Sequence, residues 1–97
     1  MQDRYVISIK RIKNYLGNSL SPDEQYFEYA GYDKWSGSMS TGYPVFLDEG
    51  HAHTFRTVED AKNWWVLNNK DMLSNRYNYD YNTLAIRKVL YEEVSRL

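Results

Sequence analysis

The stretch Thr57-Val58-Glu59-Asp60-Ala61-Lys62-Asn63-Trp64-Trp65 predicts where the one clear helix of this chain begins. The hydroxyl of Thr57 can accept a hydrogen bond from a backbone N–H group of the first turn, and Asp60 stands three residues on, as in a capping box. The carboxylates of Glu59 and Asp60 also complement the positive end of the helix dipole. We expect the helix to run from Val58 to about Asn69, or one turn further to Leu73.

Apolar side chains at helical spacing predict that one face of this helix covers a sheet. Val58, Ala61, Trp65 and Met72 recur at that spacing, which is typical of a helix packed on one side only. Trp64 lies about 80–100° from the centre of this face. Its ring therefore needs cover from another part of the chain.

Extended segments with alternating apolar and polar residues lie on both sides of the helix. Residues 4–13 and 26–30 predict two antiparallel strands, and residues 43–47, with Pro44, predict a short edge strand. Turn-forming residues fill 15–23, a loop is expected over 31–42, and 51–55 read as a short strand or an irregular segment.

The last segment, residues 84–97, fits two patterns. Its apolar residues match either a strand with one bulge or a second helix. The strand is favoured, because it can return beside the first strand after the helix. We therefore expect a single α+β domain over 1–97, in which a small antiparallel sheet carries one central helix on one face.

Composition narrows the class of protein. The chain has 97 residues and no cysteine, which excludes disulfides, thiolate metal sites and thiol catalysis and fits a cytoplasmic protein. No apolar run approaches the roughly 20 residues that span a bilayer. A small sheet with few covered edges also leaves a homodimer through a sheet edge as an alternative to a monomer.

Charge is unevenly distributed along the chain. Residues 1–20 carry four basic side chains and one acidic one, whereas residues 21–60 carry eight acidic and two basic ones. Such segments either form patches that face partners or lie on neighbouring strands and pair across the sheet. Pairing across the sheet is the favoured interpretation.

Aromatic residues supply the leading candidates for a partner-binding surface. The chain has ten tyrosines and three tryptophans, the residue types most enriched at binding hot spots. Trp35 and Met39 fall in the predicted loop. If extended, Tyr77, Tyr79 and Tyr81 present their rings on one side. That stripe either binds a protein partner or packs over the sheet edge or Trp64.

A basic cluster in the first strand supports an alternative function. Lys10, Arg11 and Lys13, with Tyr5 and Tyr15 near them, combine the charge and the rings that bind single-stranded nucleic acid. The slightly acidic chain as a whole, with a net charge of −1, argues against this function.

His51 and His53 are the only residues that resemble metal ligands by their spacing. In an extended segment both imidazoles point to the same side, beside the acidic turn Asp48-Glu49-Gly50. A third ligand at a telling spacing is missing, so no metal and no cofactor is predicted. No serine or acid stands where it would complete a catalytic set with either histidine, so the sequence predicts a protein without enzymatic activity.

The segment Phe55-Arg56-Thr57-Val58-Glu59-Asp60-Ala61-Lys62-Asn63-Trp64 resembles a pattern of small accessory proteins of bacteriophages and prophages. In those proteins a turn, an aromatic residue and an S/T-x-E-E-A helix start lead into a helix on a small sheet. The stretch Leu84-Ala85-Ile86-Arg87-Lys88-Val89 is similar to their closing strand. The resemblance implies a phage protein of a class that includes anti-CRISPR proteins and other inhibitors of host defence. It would bind and block a host protein in the host cytoplasm, and no site residue carries over.

Overall fold

A computed structural model describes residues 4–33, 43–89 and 93–97, with 74–76 by their backbone alone. Within these ranges five strands form one sheet in the order β3-β2-β1-β4-β5, and all neighbours are antiparallel. In chain order the elements are β1 (Tyr5–Arg11), β2 (Tyr26–Asp33), β3 (Tyr43–Leu47), a first 3-10 helix (Glu49–His51), α1 (Val58–Met72), a second 3-10 helix (Leu73–Asn78), β4 (Tyr79–Lys88) and β5 (Glu93–Arg96).

The central position of β1 follows from its sequence. Val6, Ile7, Ser8 and Ile9 are all buried, so this strand is covered on both faces and both edges. Ile7 pairs with Ile86 of β4, and these side chains belong to the core beneath the helix. The predicted first and second strands and the edge strand at 43–47 are confirmed, and β2 continues to Asp33, three residues into the expected loop.

The predicted helix is confirmed, together with its N-cap. The N–H of Asp60 donates to the Thr57 hydroxyl at 3.0 Å, and α1 ends at Met72, within the expected range. Ala61 and Met72 are buried, while Val58, Trp64 and Trp65 are partly buried against the core. The fold is therefore the expected α+β arrangement of one helix on an antiparallel sheet.

A crossover carries the chain from β3 to the helix. His51 lies over β2 so closely that a Cβ atom on Gly31 would be 2.5 Å from the His51 carbonyl oxygen, so only glycine leaves room there. The N–H of His53 then donates to the carbonyl of Ala30 at 2.8 Å, and Phe55 exchanges two backbone hydrogen bonds with Tyr5. Residues 52–55 thus lie between the ends of β1 and β2, as an irregular segment with a single bridge at Phe55.

The C-terminal segment forms strands, as favoured, and not a second helix. It differs from the expected single strand, because β4 already begins at Tyr79 and a turn at Val89 separates it from β5. The irregularity in β4 lies between Asp80 and Ala85. There the Thr83 hydroxyl accepts the N–H of Lys10 in place of a backbone carbonyl.

The two outer strands of the described sheet carry features that oppose pairing with a second chain. In β3, Pro44 supplies no backbone N–H. In β5, which has four residues, Arg96 forms an ion pair with Glu93 at 2.6 Å. Short, charged or proline-containing edges are the usual protection against edge-to-edge association, so they disfavour the sheet-edge homodimer. Within the described ranges no helix is both long enough and apolar enough to cross a membrane.

Candidate functional site

A buried ion pair lies at the end of the sheet where β1 leads into β2, here called the hairpin end. The side chains of Arg11 and Glu28 are each 5% exposed, and Nη1 of Arg11 lies 3.1 Å from Oε1 of Glu28. The hydroxyl of Tyr79 donates to the same carboxylate oxygen at 2.7 Å. Nε of Arg11 donates to the carbonyl of Lys13 at 2.7 Å. The buried polar groups of this network therefore bind one another.

Strand register brings these side chains together. Ile9 pairs with Glu28, and Arg11 pairs with Tyr26 on one side and with Tyr79 on the other. Because directly paired residues point to the same face of a sheet, all three members of the network lie on the side that carries the helix. The favoured interpretation of the uneven charge, pairing across neighbouring strands, is confirmed at this pair.

Burial and charge shape the protonation of the network. Burial, followed by the hydrogen bond to Glu28, raises the pKa of Tyr79, so its hydroxyl keeps its proton at neutral pH and donates it to the carboxylate. Burial alone would lower the pKa of Arg11, but Glu28 and Tyr79 outweigh it and the net shift is upward. The charges of Arg11 and Glu28 thus neutralise each other, and the Tyr79 hydroxyl completes the network.

Exposed aromatic and apolar side chains surround this network. The ring of Tyr15 stacks on the Arg11 guanidinium at 4.1 Å, yet Tyr15 is 80% exposed, and Leu16 beside it is 86% exposed. Tyr77 is 70% exposed. It adjoins this region because the carbonyl of the next residue, Asn78, accepts backbone N–H groups of residues 12 and 13. We call Tyr15, Leu16 and Tyr77 the hairpin-end surface.

A cavity of about 450 Å³ borders the hairpin-end surface. Its wall includes Arg11, Tyr15 and Tyr79 and extends to Phe46 of the edge strand and Met72 at the end of the helix. The cavity therefore lies between the exposed Tyr15 and the buried network.

Three of the five predicted partner-binding residues lie within the described ranges. Trp35 and Met39 lie outside the described residues. The predicted stripe is wrong as a single surface, because Tyr77 ends up in the second 3-10 helix and the strand begins only at Tyr79. Tyr77 is exposed and Tyr79 is buried, whereas Tyr81 is partly buried against the core.

The predicted basic cluster is also divided. Arg11 is buried in its pair with Glu28 and is therefore not available to a phosphate backbone. The ammonium group of Lys10 lies 5.5 Å from the centre of the Phe27 ring, and Lys13 is partly buried. The residue missed by reading the sequence is Glu28, whose position opposite Ile9 depends on register and not on local pattern.

At the opposite end of the sheet, the crossover end, four rings pack together. Trp64 lies on Tyr32, His53 and Phe55, with ring centres 5.7 to 6.1 Å away. Its indole N–H donates to the Tyr32 hydroxyl at 2.7 Å. The cover that Trp64 requires therefore comes from β2 and the crossover. These contacts do not involve Tyr77, Tyr79 or Tyr81, which the sequence offered as a possible cover for Trp64.

The two histidines lie in the wall of a second cavity, of about 620 Å³, at this end. His51 contacts the Asp48 carboxylate through Nδ1 and is exposed. His53 is held among rings, and burial lowers the pKa of its imidazole. The extended arrangement that would align both imidazoles is absent, because His51 ends the first 3-10 helix. Within 4–33, 43–89 and 93–97, no group of three or more potential ligands could hold a metal ion.

Sequence reasoning missed two further features of these ends. Leu16 stands in the turn-rich connection beside Tyr15, which the sequence indicated only as a ring for nucleic-acid binding; exposure of large apolar residues there is itself a sign of a binding surface. Tyr32 lies in the last part of β2, beyond residue 30, where the sequence pattern predicted that the strand ends.

Comparison of the chain with protein-family models, curated proteins and solved structures finds no match.

Proposed function

We propose that this protein is a non-enzymatic accessory protein of the phage type that binds a host protein and blocks it. The observation that carries the proposal is the hairpin-end surface, where Tyr15, Leu16 and Tyr77 are each at least 70% exposed. Exposure of large side chains of this kind to water is unfavourable, and their burial under a partner stabilises the complex. Tyrosine in particular adds contact area with little loss of side-chain entropy.

The arrangement beneath this surface supports a protein partner over a nucleic acid. The charge of Arg11 is neutralised by Glu28 at 3.1 Å, so the basic cluster keeps only two lysines. Nucleic-acid interfaces need several positive side chains that reach phosphates, and the whole chain has a net charge of −1. A tyrosine-rich surface without strong positive charge fits a protein surface better.

The non-enzymatic part of the proposal is supported by the way the buried polar groups are used. Arg11, Glu28 and Tyr79 bind one another. A general acid or base needs a proton position that a substrate can reach. In this network the hydrogen bonds hold each polar group to its neighbour, which is typical of a structural role.

The test is capture of partners from a bacterial lysate by the tagged full chain, with a nuclease-treated sample alongside. We expect a discrete protein band that survives nuclease and that is lost when Tyr15 and Tyr77 are both changed to alanine. The matched control is Tyr43→Ala, which removes a ring that is 53% exposed at the edge strand. It should leave capture unchanged.

Two results would overturn the proposal. Recovery of nucleic acid, with loss of all partners after nuclease treatment, would favour the nucleic-acid alternative through Lys10 and Lys13. Equal capture by the wild type and the Tyr15→Ala, Tyr77→Ala variant, with both proteins folded by circular dichroism, would exclude the hairpin-end surface as the binding site.

A further inference from the structure

The connection between β1 and β2 contains a short hairpin of its own. The N–H of Leu20 donates to the carbonyl of Ile12 at 2.8 Å, and the N–H of Asn14 donates to the carbonyl of Asn18 at 2.9 Å. The chain therefore turns back on itself over residues 15–17, which we call the hairpin tip. Loops of three residues are a common way to close a hairpin.

Asn14 and Gly17 hold the backbone of the hairpin tip. The N–H groups of Leu16 and Asn18 each donate to Oδ1 of Asn14 at 2.9 Å, and the N–H of Gly17 donates to the Asn14 carbonyl at 3.0 Å. Gly17 has a φ of 82°, which glycine adopts without strain. The tip is thus fixed before any partner binds, and a preorganised loop loses less entropy on binding.

The side chains at the hairpin tip are large and apolar, although the turn does not require them. Tyr15 is 80% exposed and Leu16 is 86% exposed. The bonds that fix the turn use the backbone of Leu16 and not its side chain. The ring of Tyr15 is already stacked on the Arg11 guanidinium, so Leu16 offers the larger exposed fraction to a partner. Adjacent apolar side chains exposed on a loop are a sign of binding.

The shape and charge of the hairpin tip define the surface that it fits. Two paired strands lie only about 5 Å apart, so the tip is narrow and is complementary to a cleft. Residues 14–20 carry no charged side chain, so a phosphate group or a charged side chain finds no counter-charge among them. Apolar surface is the remaining partner for Leu16.

We propose that the hairpin tip enters an apolar cleft of the protein partner, with Leu16 in the cleft and Tyr15 at its mouth. The inference rests on the proposed function, because it names the shape and the chemistry of the site that the partner contributes. The partner is then blocked because its cleft is occupied.

The first test measures whether the tip is ordered before binding. Backbone ¹⁵N relaxation should give order parameters of about 0.85 for residues 14–18, as in a rigid strand. Gly17→Val should lower them, because the left-handed region is strained for a β-branched residue, whereas Gly17→Asn tolerates that region and should keep them. Among the described residues beyond its chain neighbours, no atom lies within 4 Å of a Cβ atom at position 17, so the variants differ chiefly in backbone conformation. Wild-type values below about 0.6 would overturn the proposal.

The second test offers the tip an apolar cavity of defined chemistry. The protein is titrated by NMR with millimolar β-cyclodextrin, a ring of glucose units whose cavity admits one side chain, and with maltoheptaose, the open chain of the same units. Only β-cyclodextrin should shift the amide signals of residues 15–17, and Leu16→Ala should weaken its binding about tenfold, the contribution of a buried leucine side chain. Equal shifts with both sugars, or unchanged binding to Leu16→Ala, would contradict the proposal. So would shifts of equal size at Val66 and Leu67, which are 72% and 81% exposed on the helix.

A matched pair of variants extends the test to the captured partner. Leu16→Ala should weaken the affinity for that partner at least tenfold. The control is Leu67→Ala, which removes the same side chain at a similarly exposed position of the helix and should leave the affinity unchanged. Both variants should melt at the wild-type temperature, because exposed side chains contribute little to folding. Equal affinity of the two variants would show that Leu16 has no special role.

Failure of this inference can be told apart from failure of the proposed function. If the captured partner binds Leu16→Ala as tightly as the wild type but is lost with the Tyr15→Ala, Tyr77→Ala variant, the cleft inference is wrong while the hairpin-end surface stands. If the chain captures no protein but the tip is ordered and binds β-cyclodextrin through Leu16, the proposed function fails and the preformed apolar tip remains.

Discussion

The two ends of the sheet bring different chemistry against the same helix. At the hairpin end, an arginine and a glutamate lie side by side with side chains only 5% exposed. At the crossover end, Tyr32, His53, Phe55 and Trp64 pack as rings, and a single side-chain hydrogen bond joins Trp64 to Tyr32. One end depends on mutual neutralisation and the other on contact area.

This difference predicts how each end responds to change. A buried ion pair adds little net stability, yet removal of one partner leaves a charge without compensation. A substitution in a ring cluster lowers the stability of the protein in proportion to the contacts that it removes, so a small change has a small effect. We therefore expect a steep response at the hairpin end and a graded one at the crossover end.

The largest effect is expected for Glu28→Gln. The substitution keeps the shape of the side chain but leaves the Arg11 charge buried without a counter-charge, which costs about 3–5 kcal/mol. Urea denaturation followed by circular dichroism measures the loss. A triple variant, Arg11→Met with Glu28→Leu and Tyr79→Phe, removes both charges and the hydroxyl that Glu28 accepts from, and should recover most of the lost stability. A loss below about 1 kcal/mol for Glu28→Gln would show that water reaches the pair.

A smaller loss is expected for Gly31→Ala at the crossover end. The new methyl group would lie 2.5 Å from the backbone oxygen of His51, and overpacking of this kind costs about 1–3 kcal/mol. The matched control is Gly50→Ala, where the nearest atom lies 3.6 Å from the added carbon. Equal unfolding free energies for the two variants would mean that the crossover moves away from β2 without cost.

The hydrogen bond between the Trp64 indole N–H and the Tyr32 hydroxyl is tested by Tyr32→Phe. The change removes the acceptor of the Trp64 indole N–H and should cost about 1–2 kcal/mol, the price of a partly buried donor without its partner. Tyr43→Phe, at an exposed edge position, serves as the control and should change stability by less than about 0.5 kcal/mol. A loss at position 32 no larger than that of the control would contradict a structural role for this bond.

The smallest effect concerns pH. Burial lowers the pKa of His53, so the unfolded chain binds the proton more tightly than the folded protein does. This contribution therefore reduces stability as the pH falls below about 6.5, the ordinary value for histidine. Unfolding measured at pH 7.5 and 5.5 should show a smaller difference for His53→Gln than for the wild type. An equal difference between the two pH values for His53→Gln and for the wild type would contradict this effect of burial.

Much of the fold could be predicted from local sequence. The Thr57 cap, the helix over its expected range and the alternation in β1 depend on residues within a few positions of one another, so their pattern is visible without the fold. The site could be predicted less well. The tyrosines at 77, 79 and 81 alternate as in a strand, but the strand begins only at Tyr79, and one residue pattern therefore gives one exposed ring and one buried ring.

The sequence by itself determined the class of fold, because capping, periodicity and turn formers act over short distances and are insensitive to distant parts of the chain. Only the tertiary structure decided that Arg11 is a buried partner of Glu28 and not a surface cation, since strand register sets which charges meet. It also decided what covers Trp64. Register and crossover join residues far apart in sequence, and no local spacing records such a contact.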